Sequence, residues 1–218
     1  DISDRLPLDK AGQPVLFTAD QRPYRERKVR ILNGAHTSTV PAAFLAGKDI
    51  VREAMKDPLI RSFMTRVVFN EIVPTVPLPK EEAEAFANKV FERFENPFVD
   101  HALLSITLNS VSKWKARILP SFRDSFQKNG EIPPLLTFSF AALLAFYSNG
   151  ELKDGKWMGR HGDEWYEILD DQSVLDFFKE NKEASTEKLT DLAAARVDFW
   201  GEDLRGYPEF TAKVNDHL

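Results

Sequence analysis

Three side chains close together in the chain, Lys28, Asn33 and His36, have the types needed to reduce or oxidise a carbonyl. A primary amine gives or takes a proton at an oxygen. An amide and an imidazole donate hydrogen bonds to that oxygen as negative charge builds on it. On an α-helix at about 100° per residue, Asn33 lies roughly 140° and His36 roughly 80° from Lys28, all within about 12 Å along the axis. One broad face therefore holds all three. Gly34, beside them, leaves room for a substrate or cofactor to approach the backbone, at about 1 kcal/mol of helix stability relative to Ala. By spacing alone the same trio also arises in ordinary helices, with an exposed lysine and a capping or solvated asparagine.

The trio needs a helix, and the chain supplies one. Pro23 suits the first turn of a helix that begins near Tyr24 and runs through Leu45 to Gly47, with Pro41 inside it expected to kink it or break one backbone bond. A second helix is predicted over Asp49 to Lys56. Past Asp57-Pro58, residues Leu59, Ile60, Phe63, Met64, Val67, Val68 and Ile72 recur at helical spacing. Pro74 and the Pro77-Leu78-Pro79 stretch read as a turn, and Lys80 to Glu95 as a helix with acids in its first turn. Asn96-Pro97 opens a helix expected to reach about Lys115, Pro120 breaks the pattern, and Pro133-Pro134 begins an apolar helix that stops near Asn149-Gly150. Residues 151–171, rich in Gly and Trp, read as a hairpin or ordered loop, with Trp157 and Trp165 forming a local cluster or covering the site. Helices resume over Ser173 to Asn181 and Thr186 to Trp200. The fold class is mainly α. Phe86, Phe91, Phe94, Phe98, Phe138, Phe140 and Phe146 read as core. Val15 to Ala19, between Gly12 and Pro14 on one side and Asp20 on the other, reads as one short strand. A lone strand needs a partner for its ladder, so it reads either as the end of a sheet that lies upstream or as an N-terminal arm.

Composition removes several functions. A net charge of -5 over 218 residues lacks the concentrated basic surface of a nucleic-acid binder. No apolar run reaches the roughly 18 residues of a membrane span, so a cytoplasmic protein is expected. Cysteine is absent, which removes disulfides, thiolate metal sites and a Cys nucleophile. His36, His101, His161 and His217 are dispersed, with no His-x-x-x-His pair, and no metal is expected.

The string KVRILNGAHT, Lys28 to Thr37, resembles the signature of the polyol-specific long-chain (mannitol) dehydrogenase family, whose motif is K-x4-N-x2-H. Asn70 to Thr75 and Asn96 to Lys113 extend the likeness, which looks closest to its tagaturonate reductase branch. The resemblance implies a two-domain, NAD-dependent dehydrogenase of which residues 23–218 are the helical catalytic and substrate-binding part. Residues 1–22 are then the tail end of a Rossmann domain of the same polypeptide. It implies Lys28 as general acid/base, Asn33 as part of an oxyanion site and His36 as a substrate-orienting group. A ketohexuronate or aldonate is the implied substrate. Lys113 matches the family's substrate-contacting lysine, although Asn109 and Val111 depart from the commoner acid and serine of that stretch. For the substrate carboxylate, Arg117 can supply two parallel hydrogen bonds; alternatively Lys113, Lys115 and Arg117 simply complement a helix C-terminus. His101, upstream on the same helix, reads as a core or supporting histidine. Arg25, Arg27 and Arg30 read as solvated or ion-paired. No G-x-G-x-x-G occurs, so the cofactor-binding residues are expected outside this chain. Fructuronate reductase and mannitol dehydrogenase activities stay open within the family, as does a non-catalytic all-α interaction module outside it.

Overall fold

The computed structural model describes residues 2–12 and 15–218. Helices dominate it, and none is long and apolar enough to cross a membrane. The central pair is Gly34–Leu45 packed against Pro134–Ser148. Both are apolar nearly all round, which is why both are buried on most of their surface rather than along one stripe. Helices Leu103–Thr107 and Ser110–Arg117 close over another side of Gly34–Leu45.

The stretch expected to be one α-helix from Tyr24 is helical from Arg22 to Leu45, but it is not α throughout. Residues Lys28–Asn33 form a π-helical turn, in which the Gly34 N–H reaches the Val29 carbonyl five residues back. A turn that absorbs one extra residue rotates everything after it back by about 100°. Asn33 then lies about 40° and His36 about 20° from Lys28, on either side of it, instead of 140° and 80°. The motif is drawn onto one stripe. The helix also continues through Pro41, where only the bond to the Thr37 carbonyl is forfeited. Gly34 does not open room for a ligand. A Cβ there would sit 3.4 Å from Ile72, 3.6 Å from Ile118 and 3.6 Å from the Arg117 carbonyl, so the glycine serves close packing of helices.

A second π turn, Val67–Ile72, places Glu71 at the start of the core helix. Pro133 and Pro134 bring no N–H of their own, and the first free amides of that helix, on Leu135 and Leu136, donate to the two Glu71 carboxylate oxygens at 2.9 and 2.7 Å. Burial pushes the Glu71 pKa up and these two bonds pull it down.

Residues 151–167 form a three-stranded antiparallel sheet in the order β1 (Glu151–Lys153), β2 (Lys156–His161), β3 (Glu164–Glu167). Asp154 and Gly155, both at positive φ, make the two-residue turn that the right-handed twist of a hairpin favours. Trp157 is buried and donates to the Tyr147 carbonyl at 3.0 Å, while Trp165 is partly exposed under Lys153 and Arg160. They form a hairpin cluster on the core helix.

Several expectations change. Residues 15–19 form no strand, because no ladder partner is within reach among the described residues; Pro14, the expected flank, lies outside them. The helix expected from Asn96 to Lys115 is two shorter ones. Residues 96–102 run irregularly, and Asn109 at φ 54° turns the chain between Leu103–Thr107 and Ser110–Arg117. His101 therefore lies on the segment leading into the helices, not on one of them, and its carbonyl accepts the Val51 N–H. Pro120 begins the helix Leu119–Asn129 instead of merely ending one. Phe98 is 93% exposed and not core.

Replacing Glu71 by Ala leaves two helix-start amides unsatisfied inside the protein. The expected cost is about 2–3 kcal/mol, which for a chain of this size lowers Tm by roughly 5–10 °C. Thermal unfolding followed by circular dichroism measures it, and a change below about 1 °C would show that water replaces the carboxylate.

Candidate active site

Asn33, His36, Lys113 and Arg117 line one cavity of about 490 Å³, open to solvent on one side. Leu32, Val51, Phe94, Val99 and Ile106 supply its apolar wall, and Arg93, Asn96, His101 and Ser105 its remaining polar groups. Two helices meet there for a local reason. Gly34 lets the C-terminal end of Ser110–Arg117 lie against the motif helix, so Arg117 lands one turn from His36 and donates to Thr37 Oγ1 at 3.3 Å.

Lys28 is placed differently. It is exposed, it does not line the cavity, and among the described residues it has no hydrogen bond or ion pair. It stands one π turn before Asn33 on the same stripe. Asn33 belongs to the cavity and also to a second hollow of about 560 Å³, which Arg117 shares and which Arg22, Arg25 and Arg30 help to line. The neighbouring arginines divide as expected: Arg27 pairs with Glu82, Arg30 with Glu26 and Asp124, while Arg25 is exposed.

The His36 ring stacks on Phe94 with centroids 4.2 Å apart and meets the His101 ring edge-on at 5.5 Å. Its Nε2 is buried and unpartnered among the described residues. Burial, then the His101, Arg117, Arg93 and Lys113 charges around it, hold its pKa down to about 3. The ring is thus neutral at physiological pH and carries a single N–H donor. Among the described residues Asn33 makes no side-chain hydrogen bond, so its amide is also free to donate.

Lys113 extends its amine to the Ile106 carbonyl at 2.9 Å, near the end of helix Leu103–Thr107. That carbonyl belongs to the preceding helix, so the bond is not the role at the end of its own helix that the sequence left open as the alternative. Burial lowers its pKa, Arg117 adds to the effect and Asp170 opposes it. Burial likewise lowers that of Arg117, which among the described residues has no carboxylate partner. The start of their helix is fixed by Tyr147, which accepts the Ser110 N–H at 3.2 Å and donates to Asp170, itself the acceptor of the Val111 N–H. Sequence reasoning missed Tyr147, Asp170 and Arg93. An isolated Arg on the last turn of a helix gives no signal, and the bond between Tyr147 and Asp170 joins residues 23 apart, a pairing that sequence does not reveal.

Chemically, the cavity joins two neutral hydrogen-bond donors to several cations and includes no Asp or Glu in its lining. That arrangement suits a polar, anionic small molecule.

Residues 20–218 match the mannitol dehydrogenase C-terminal domain family, and the chain belongs to it. The altronate oxidoreductase of Escherichia coli O7:K1 is 40% identical over 223 residues, covering 100% of this chain and 44% of the relative. That of Klebsiella pneumoniae (strain 342) is 40% identical over 225 residues, with the same coverage. The chain thus spans less than half the length of these relatives. Pseudomonas fluorescens mannitol 2-dehydrogenase, solved as a ternary complex with NAD and D-mannitol, superposes with a TM-score of 0.77 at 22% identity. That match covers 93% of this chain and 39% of the other. A substrate-free D-sorbitol dehydrogenase gives 0.76 at 20% identity, over 96% and 40%.

The depressed pKa of His36 fixes a sign. Between pH 6.5 and about 3 the unfolded chain binds a proton at this position that the folded chain does not, so this group's contribution to stability falls as pH falls through that window. Imidazole NMR shifts of His36 should stay constant from about pH 8 to pH 5, and a His36→Phe variant should lose stability less steeply in acid. A His36 resonance that titrates near pH 6.5 would mean that the ring is solvated.

Proposed function

We propose that this chain is the substrate-binding and catalytic part of an NAD-dependent sugar-acid oxidoreductase that interconverts a ketohexuronate and its aldonate, tagaturonate and altronate by preference. The observation that carries the reading is the cavity at the π turn, where the motif's amide and imidazole face the cationic pair Lys113 and Arg117 with no acid among the lining residues. Similarity over the whole chain to two altronate oxidoreductases supports the choice of substrate.

In this reading the substrate's carbonyl lies at Asn33, where the two hollows meet. Asn33 donates to the oxygen, and neutral His36 donates its one N–H to the same oxygen or to the neighbouring hydroxyl. Each preorganised donor is worth on the order of 3 kcal/mol as the oxygen takes on negative charge. Lys28 gives that oxygen its proton during reduction and removes it during oxidation. The burial that would tune such a lysine is not provided by this chain, in which Lys28 is exposed; a second domain lying over it would provide it. Lys113 and Arg117 hold the carboxylate end.

NAD, when bound, supplies or takes up the hydride at the substrate carbon. The residues here fit the reacting end only. The chain has no G-x-G-x-x-G turn, and its sheet is an antiparallel meander without the βαβ unit that cradles a pyrophosphate. A Rossmann domain of the same polypeptide would hold the nucleotide. The compartment that goes with this reading is the cytoplasm.

In the full-length protein, Lys28→Ala should lower kcat for tagaturonate reduction by about 10²–10⁴-fold. A loss under tenfold would favour a non-catalytic helical module. Parallel assays with fructuronate and fructose identify the substrate. The 218-residue chain alone, titrated with NADH, should show no micromolar binding.

A further inference from the structure

Resting on the reading of the cavity as the sugar-acid site, we infer that Arg93 is a specificity-determining residue that pairs with Arg117 to clamp the substrate carboxylate and so selects acids over neutral polyols. Arg93 lies on the last turn of the helix Lys80–Phe94, immediately before Phe94, whose ring carries His36. It lines the same cavity as Arg117, which comes from a different helix, and both act on His36 electrostatically. Two guanidinium forks suit a planar, bidentate carboxylate better than one does.

The neighbouring charges make the assignment specific. Acids outnumber bases in this chain, 34 to 29, yet among the described residues Arg93 has no acidic partner. The acids closest to it in sequence beyond its helix are engaged elsewhere: Glu95 pairs with Arg61 and Asp100 with Arg52. Lys113 is already held by the Ile106 carbonyl, and Asp170, the acid nearest that lysine's helix start, is held by Tyr147. Arg93 is therefore the cation in the cavity with no bond of its own to give up when a carboxylate enters. A charge that merely complements the end of its own helix is the competing role, and it predicts no effect on substrate choice.

The test uses the full-length protein with Arg93→Gln and Arg93→Lys. Glutamine should raise KM for tagaturonate at least tenfold while kcat changes by no more than about twofold, and lysine should restore part of the loss. Titration of altronate and of altritol, its neutral counterpart, onto the wild type and Arg93→Gln reads binding without turnover. The substitution should weaken altronate at least tenfold and leave altritol unchanged. An unchanged KM, or equal weakening of both compounds, overturns the clamp and leaves the sugar-acid reading standing. A wild type that does not prefer altronate to altritol removes the sugar-acid reading, and the clamp with it.

Discussion

The structure turns on a conflict along one helix. From Arg22 to Leu45 the same element must bury its lower half in the core and offer polar groups from its upper half to a ligand. A regular α-helix would spread Lys28, Asn33 and His36 over about 140°. The π turn resolves this by adding a residue where the two halves meet, so that the polar groups share a stripe while Ile31, Gly34, Ala35 and Ser38 stay buried. Such turns are less stable than α-helix and persist where packing or function holds them. Packing selects a glycine beside the turn: a Cβ on Gly34 would already touch Ile72 and Ile118.

Charge is distributed as selectively as packing. Most arginines are neutralised in pairs such as Arg27–Glu82, Arg123–Glu202 and Arg196–Asp198. Exposed pairs of this kind are worth at most about 1 kcal/mol each, but they remove stray positive potential from the surface. Against that background the cavity keeps its cations uncompensated, in a chain whose net charge is -5. Field lines from Arg93, Lys113 and Arg117 are confined by an apolar wall that includes Phe94, Val99 and Ile106, which strengthens attraction for an anion there. Burial first, and these cations in addition, keep His36 neutral, so the charge that would attract an anion also favours the donor state of the imidazole.

Much of this was legible in the sequence, for reasons that differ by element. The helices over 34–45, 80–94 and 134–148 announce themselves because Pro, Gly and the apolar period mark both their ends and their faces. The Gly and Trp content of 151–171 marks a hairpin or ordered loop, and Lys28, Asn33 and His36 are found by type and spacing. What is not legible depends on contacts between distant segments. The π turn leaves no mark in composition; a helix of the same residues would read as α. Gly34 is read as an opening toward a ligand when it is a packing site, because sequence cannot tell which side of a helix a neighbour occupies. The break at Asn109 escapes because one Asn is too weak a signal to end a helix by itself, and its positive φ is visible only in the structure. The strand expected at 15–19 fails for the converse reason: local propensity was sufficient, but a strand exists only with a partner.

The unpartnered groups are the last link between fold and function. A buried nitrogen with no hydrogen bond costs a folded chain about 1–3 kcal/mol, so His36 Nε2 weighs against stability. That cost is sustained by surroundings rigid enough to prevent the ring from turning away: Phe94 stacked on one face and the His101 edge nearby. Among the described residues Asn33, half-buried, and Arg93, exposed, likewise make no side-chain bonds that a ligand would have to break. An anion entering the cavity would meet one buried nitrogen that the fold leaves without a partner. The cavity is the place where the fold leaves polar groups unsatisfied, and its residues are spread over three helices that pack for other reasons.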